Sequence, residues 1–140
     1  MSEALPTTYV WPSFVARNAR ALVDFYVDAF GFTISAMYGD GDPVDRIDHC
    51  ELLWPLGGGI MLGDDHSDGE NEQSRRPGTF SVYIVTDEPD ALHERAIAAG
   101  ATQVRGLNDT DYGSREFAVK DPEGNQWTFG TYRGADAVRE

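Results

Sequence analysis

The sequence predicts an α+β domain assembled from two βαβββ modules, and three observations carry that expectation. The chain has 140 residues, the size of one ordinary domain. Two stretches follow the same order of strand-like run, amphipathic helix stopped by glycine, and further strand-like runs. Each stretch is about 60 residues, too short to bury a comfortable core by itself, so the two are expected to pack on one another.

In the first module, about residues 9–63, Tyr9 to Val15 is a run of apolar and β-forming residues. Asn18 then offers an N-cap to a helix whose apolar positions Leu22, Phe25, Tyr26, Ala29 and Phe30 recur at three and four, and Gly31 stops it. Phe32 to Met37 is the second strand, and Gly39-Asp40-Gly41-Asp42-Pro43 is a turn. Arg46 to Leu53 is the third strand and Ile60-Met61-Leu62 a short fourth. A polar connector covers about residues 64–78. The second module, about residues 79–132, repeats the order. It has a strand from Phe80 to Val85, a helix from about Pro89 to Ala99 with Gly100 as its stop, and a strand from Thr102 to Arg105. A hairpin follows, Arg115 to Lys120 and Gln126 to Tyr132 around the turn Asp121-Pro122-Glu123-Gly124.

With 41% hydrophobic and 11% aromatic residues the chain can fold without staples, and its single cysteine, Cys50, leaves no internal disulfide to form. No apolar run approaches the roughly 20 residues that span a bilayer, and the first residues carry no export signature, so a cytoplasmic location is expected. A formal charge of −13 opposes contact with nucleic acid or anionic membrane. The same charge either serves solubility alone or attracts a cationic ligand.

The run Ala21-Leu22-Val23-Asp24-Phe25-Tyr26 with Phe30-Gly31-Phe32, the pieces Asp90-Ala91-Leu92 and Ala98-Ala99-Gly100-Ala101, and the turn Asp121-Pro122-Glu123-Gly124-Asn125 occur here in a fixed order and spacing. In that arrangement the chain resembles the vicinal oxygen chelate superfamily of glyoxalase, bleomycin-resistance and extradiol dioxygenase proteins. His49-Cys50-Glu51-Leu52 before Ile60-Met61-Leu62-Gly63-Asp64, and Tyr112-Gly113-Ser114-Arg115, are similar to its PhnB-like branch. The resemblance implies cupped mixed β-sheets with helices on the outer face, a small-molecule cavity and a homodimer.

It also implies four positions for divalent-metal ligands, on the first, fourth, fifth and eighth strands. Carried over, they fall on Trp11, Met61, Ser81 (Phe80 if Asp87-Glu88-Pro89-Asp90 hides an insertion) and Thr128. Indole, thioether and hydroxyl are poor donors beside the imidazole and carboxylate such ions take, so no metal cofactor is expected in that place.

Side chains alternate faces along a strand, so these positions fix which residues are expected inside the cup. They are Trp11, Ser13 and Val15, then His49, Glu51, Leu53 and Met61, then Ser81, Tyr83 and Val85, then Arg115, Phe117, Val119, Gln126 and Thr128. Cys50 is expected on the helix side, with nothing to lower its pKa. His49 and Glu51 are candidates for a general acid and base, for two ligands of a displaced metal, or for a structural pair. Arg115 either holds a ligand anion through its fork or forms a salt bridge to Glu51 or Glu116. Trp11 and Tyr83 offer stacking faces to an aromatic or cationic ligand, or belong to the core. His66 among Asp64, Asp65 and Asp68 is either an oxygen-rich cation site or a solvated loop. Two functions follow: sequestration of a small molecule without metal, or a glyoxalase-like lyase or isomerase using His49 and Glu51, with or without a divalent ion.

Overall fold

Asn18 starts the first helix because its side-chain oxygen accepts the Ala21 N–H at 3.1 Å. A carboxylate completes this helix start: Asp64 accepts the Ala19 N–H and the Ile47 N–H, each at 2.8 Å. The computed structural model describes residues 11–65 and 76–133. The first module contains β1 (Ser13–Ala16), α1 (Ala19–Phe25), a π-helical turn (Tyr26–Phe30), β2 (Thr33–Asp40), β3 (Arg46–Leu53) and β4 (Gly59–Asp64). The second contains β5 (Ser81–Val85), α2 (Pro89–Ala98), β6 (Thr102–Asp109), β7 (Arg115–Lys120) and β8 (Gln126–Gly130).

Each module forms one four-stranded sheet, ordered β1-β4-β3-β2 and β5-β8-β7-β6. The first strand of each module runs parallel to the last and the remaining pairs are antiparallel. The expected βαβββ repeat is therefore present in both halves. Several strands run longer than expected. β2 continues to Asp40 because Gly39 lets the chain pass the Arg46 carbonyl, where a Cβ would sit 1.9 Å from the oxygen. The first helix closes at Gly31, whose φ of 89° suits glycine and whose missing side chain leaves room for the Arg95 guanidinium. That guanidinium donates to the Asp28 carbonyl at 2.9 Å and the Val27 carbonyl at 3.2 Å, tying α2 to the end of the first helix.

The helical layer joins the modules. Tyr26 and Phe30 of the first module lie 4.8 Å and 5.1 Å from Trp127 of β8, and Phe30 lies 4.9 Å from Phe129. Phe14 of β1 stacks on Phe80 at 4.3 Å. Burial of these fused aromatic clusters is the main source of cohesion between the halves. Asp121, itself buried, accepts the Tyr26 hydroxyl at 2.8 Å and the Trp127 Nε1 hydrogen at 3.0 Å. Burial first, and then the Asp121 charge, push the Tyr26 phenol well above its usual range. Among the described residues no helix is long and apolar enough to cross a membrane.

Candidate functional site

The face of each sheet turned away from the helices is the place where ligand-contacting side chains can stand. On the first sheet, Glu51 pairs with Met61 and Met61 with Ser13. Cys50, Leu52, Ile60 and Leu62 alternate with them and are buried in the core. His49, Glu51, Met61 and Ser13 thus share the open face, as the alternation predicts. Cys50 lies on the helix side, where burial pushes its thiol up to about 11. The His49 Nε2 and Glu51 Oε2 atoms are hydrogen-bonded at 2.8 Å. The His49 ring stacks on Tyr38, centroids 6.2 Å apart. Trp11 is half-buried, its ring so close over Gly59 that a Cβ there would lie 2.6 Å away.

The second sheet differs from the expected register by one residue. Thr128 stands opposite Ala118 and Phe129 opposite Phe117, whereas alternation from a four-residue turn places Thr128 opposite Phe117. The cause lies in the turn. Gly124 N–H bonds the Asp121 carbonyl at 3.0 Å to close a four-residue turn, Gly124 takes φ 94°, and Asn125 then pairs back to Asp121. That is a three-residue hairpin loop with a left-handed glycine, and it adds one residue to the count. Phe117 consequently faces the helices, stacked on Phe129 at 5.2 Å and edge-on to His93 of α2 at 5.1 Å, and Val119, also expected in the cup, is buried in the core opposite Trp127. Arg115 also leaves the cup. Its guanidinium binds Asp90 at the start of α2, at 2.6 and 3.3 Å, and Asp109 at 3.1 Å, so the expected partner Glu51 or Glu116 is replaced by these two.

Glu116 takes the place that Arg115 and Phe117 leave. Although its residue is only 4% exposed, its carboxylate borders a hollow of about 450 Å³ on the open face of the second sheet. Ser81, Tyr83 and Thr128 line this hollow together with Tyr112 and Tyr132. Gln126 pairs with Ser81 and Lys120 and lies outside its walls. The Tyr112 hydroxyl donates to Glu116 Oε2 at 2.8 Å, and Arg105 donates to Oε1 at 3.4 Å. Tyr112 is held above its usual range chiefly by that bond to the carboxylate, and Tyr83 chiefly by burial. Both phenols stay neutral at physiological pH and present three aromatic faces, with Tyr132, around one buried carboxylate. Glu116, Tyr112 and Tyr132 were not expected as site residues; the length of the hairpin loop is the signal that brings Glu116 inward.

The side chains carried over as metal positions do not suit a divalent ion. Trp11 lies over Gly59, Met61 pairs with Ser13 and Glu51 on the first sheet, Ser81 and Thr128 stand in the hollow of the second, and none of the four offers imidazole or carboxylate. Among the described residues, no group of three or more His, Cys, Asp or Glu side chains could hold a metal. Asp64 is engaged by two backbone N–H groups. His66 and Asp68, the rest of the candidate cation site, lie outside the described residues.

The family model for the Glyoxalase/Bleomycin resistance protein/Dioxygenase superfamily matches residues 9–129. The chain is 31% identical over 125 residues to the uncharacterized protein Mb0911c of Mycobacterium bovis, a match covering 85% of this chain and 80% of that one. It is 24% identical over 152 residues to the anthracycline biosynthesis protein DnrV of Streptomyces peucetius, covering 99% of this chain and 53% of DnrV. Among solved structures it is similar to TioX from Micromonospora sp. ML1, with a TM-score of 0.75 and 24% identity over 89% of this chain and 98% of TioX.

Proposed function

The chain belongs to the Glyoxalase/Bleomycin resistance protein/Dioxygenase superfamily, and on that premise we propose that it binds a flat aromatic cation without the help of a metal. The observation that carries the reading is the buried Glu116 carboxylate at the side of a hollow walled by Tyr83, Tyr112 and Tyr132. Aromatic walls favour a planar ring system and a cation over their faces, and the Glu116 carboxylate, bonded by Tyr112 and ion-paired at 3.4 Å with the half-exposed Arg105, adds a negative charge that a bound cation would share with Arg105. The net charge of −13 would draw such a ligand in. DnrV is named for anthracycline biosynthesis, and anthracyclines are fused-ring aromatic compounds, which agrees with this ligand class. A homodimer, with a second copy covering the open faces, is part of the same proposal, as is a cytoplasmic location.

Fluorescence titration with 10-methylacridinium, a flat cation, and acridone, its neutral analogue, tests the reading. The cation is expected to bind at least tenfold more tightly and to lose affinity as salt rises. Glu116→Gln is expected to weaken the cation by about tenfold to a hundredfold while leaving acridone unaffected. Equal binding of the two compounds, or indifference to Glu116→Gln, overturns it. The 2.8 Å contact between His49 and Glu51 favours a second reading, acid-base catalysis of a lyase or isomerase reaction on the first sheet. In that case His49→Ala removes turnover and keeps binding, whereas in a binding protein it leaves acridinium affinity alone.

A further inference from the structure

A cleft of about 370 Å³ opens where the Trp54–Gly58 turn of the first module meets β5 of the second. Phe32, Ile60 and Ile84 line it from the buried core, and Trp54, Val82 and Val85 complete its apolar walls. The polar side chains at its margin are already engaged. Trp54 Nε1 donates to the Val85 carbonyl at 2.9 Å, the Tyr83 hydroxyl donates to the Tyr132 carbonyl at 2.7 Å, and Arg133 is ion-paired with Asp87. A polar group entering the cleft would give up water and meet side chains already bonded elsewhere, so the lining selects an apolar occupant.

This cleft adjoins the tyrosine hollow. Val82 and Tyr83 line both, and the chain leaving β8 passes from one to the other, with Tyr132 in the hollow and Arg133 in the cleft. Each space alone lies toward the small end of the roughly 300–1,000 Å³ range of ligand pockets. We propose that the two act as one bipartite site for an amphipathic ligand. Its flat cationic ring system lies beside Glu116, and an alkyl or aryl arm passes Tyr83 into the Trp54 cleft. The ring half rests on the function proposed above; the arm is new.

The test uses 10-methyl-, 10-butyl- and 10-octylacridinium, which share one ring cation and differ only in the arm. Affinity is expected to rise by about fourfold per added methylene until the cleft is filled, the increment of an apolar chain leaving water. Val85→Phe, which fills the cleft, is expected to abolish the gain while 10-methylacridinium binds as before. Leu56→Asp places a charge on the exposed turn at the mouth of the cleft. It is expected to cut the octyl gain at least fivefold, and it decides the matter if Val85→Phe disturbs folding. Octyl and methyl compounds of equal affinity, or a gain that survives in the folded variants, overturn the arm site and leave the ring reading standing. Failure of the methyl compound to bind overturns the ring reading, and the bipartite site falls with it.

Discussion

The β3–β4 and β7–β8 hairpins share a three-residue loop closed by the same two backbone hydrogen bonds and use it for opposite ends, although Gly58 of the first takes a φ of 83° where Asn125 of the second is not left-handed. In the first, the Trp54 N–H bonds the Gly58 carbonyl at 3.0 Å and the Gly57 N–H bonds the Trp54 carbonyl at 2.9 Å. In the second, Asp121 and Asn125 pair at 3.0 Å and the Gly124 N–H bonds the Asp121 carbonyl at 3.0 Å. Around the second turn the side chains close inward. Asp121 gathers the Tyr26 hydroxyl, the Trp127 indole and the Glu123 and Asn125 N–H groups, while Glu123 accepts the Arg17 and Asn18 N–H groups at 2.7 and 2.9 Å. Around the first, Leu56 is exposed and the apolar cleft opens beneath it. A hairpin with a buried carboxylate at its base fastens the modules together; the matching loop without one leaves an apolar cleft open.

The largest expected effect separates these roles. Asp121→Ala strands several buried donors at once and is expected to cost on the order of 4 kcal/mol or more, whereas Leu56→Ala at the open turn should stay within about 0.5 kcal/mol. Urea unfolding of the two variants measures the contrast. Similar small losses in both would show that the second turn is not the fastening point.

The shared loop length also separates what the sequence makes legible from what it hides. Helix starts and stops were legible at Asn18, Gly31 and Gly100 because each is fixed by local chemistry, a side-chain cap or a left-handed glycine. The open face of the first sheet was legible because the correct pairing of Glu51 with Met61 carries the alternation through β3 and β4. The second sheet was misread by one residue, which turned Arg115 and Phe117 inward and Glu116 outward. The missing clue was in the chain itself. Trp54-Pro55-Leu56-Gly57-Gly58 and Asp121-Pro122-Glu123-Gly124-Asn125 share proline and glycine at matching places. Aligning them gives both hairpins the same three-residue loop and places Glu116 at the position corresponding to His49. The extra length of β2 and β6 was less legible, because their register shifts arise from tertiary pairing rather than from local pattern.

A smaller effect compares the matching left-handed glycines of the two loops. Gly57 and Gly124 occupy φ of 119° and 94°, and neither has an atom close enough to obstruct a methyl group. Gly57→Ala and Gly124→Ala should therefore each cost about 1–2 kcal/mol from backbone strain alone, despite their different surroundings. A much larger loss at Gly124, measured by the same unfolding experiment, would mean that the Asp121 network holds its turn more tightly than the geometry of the first turn requires.

The smallest effect on stability concerns Arg115, whose placement follows directly from the extra residue in the second loop. On the helix side it grips Asp90 and Asp109; in the alternative register it would face the tyrosine hollow. Arg115→Gln should therefore leave acridinium affinity unchanged, in contrast to Glu116→Gln. Because these ion pairs are exposed and screened, it should also move the melting temperature little. Its signature is electrostatic. The bond from Arg115 holds the Asp90 carboxyl below its ordinary value of 3.8, with burial opposing and the guanidinium charge adding to the shift. A carboxyl depressed in the folded state stabilises that state above its ordinary titration range and loses the contribution as pH falls through the folded value. Carboxyl-detected NMR titration should accordingly show Asp90 moving up toward 3.8 in Arg115→Gln. An unchanged Asp90 titration, combined with weakened ligand binding, would return Arg115 to the cup and reverse the assignment of every side chain on β7.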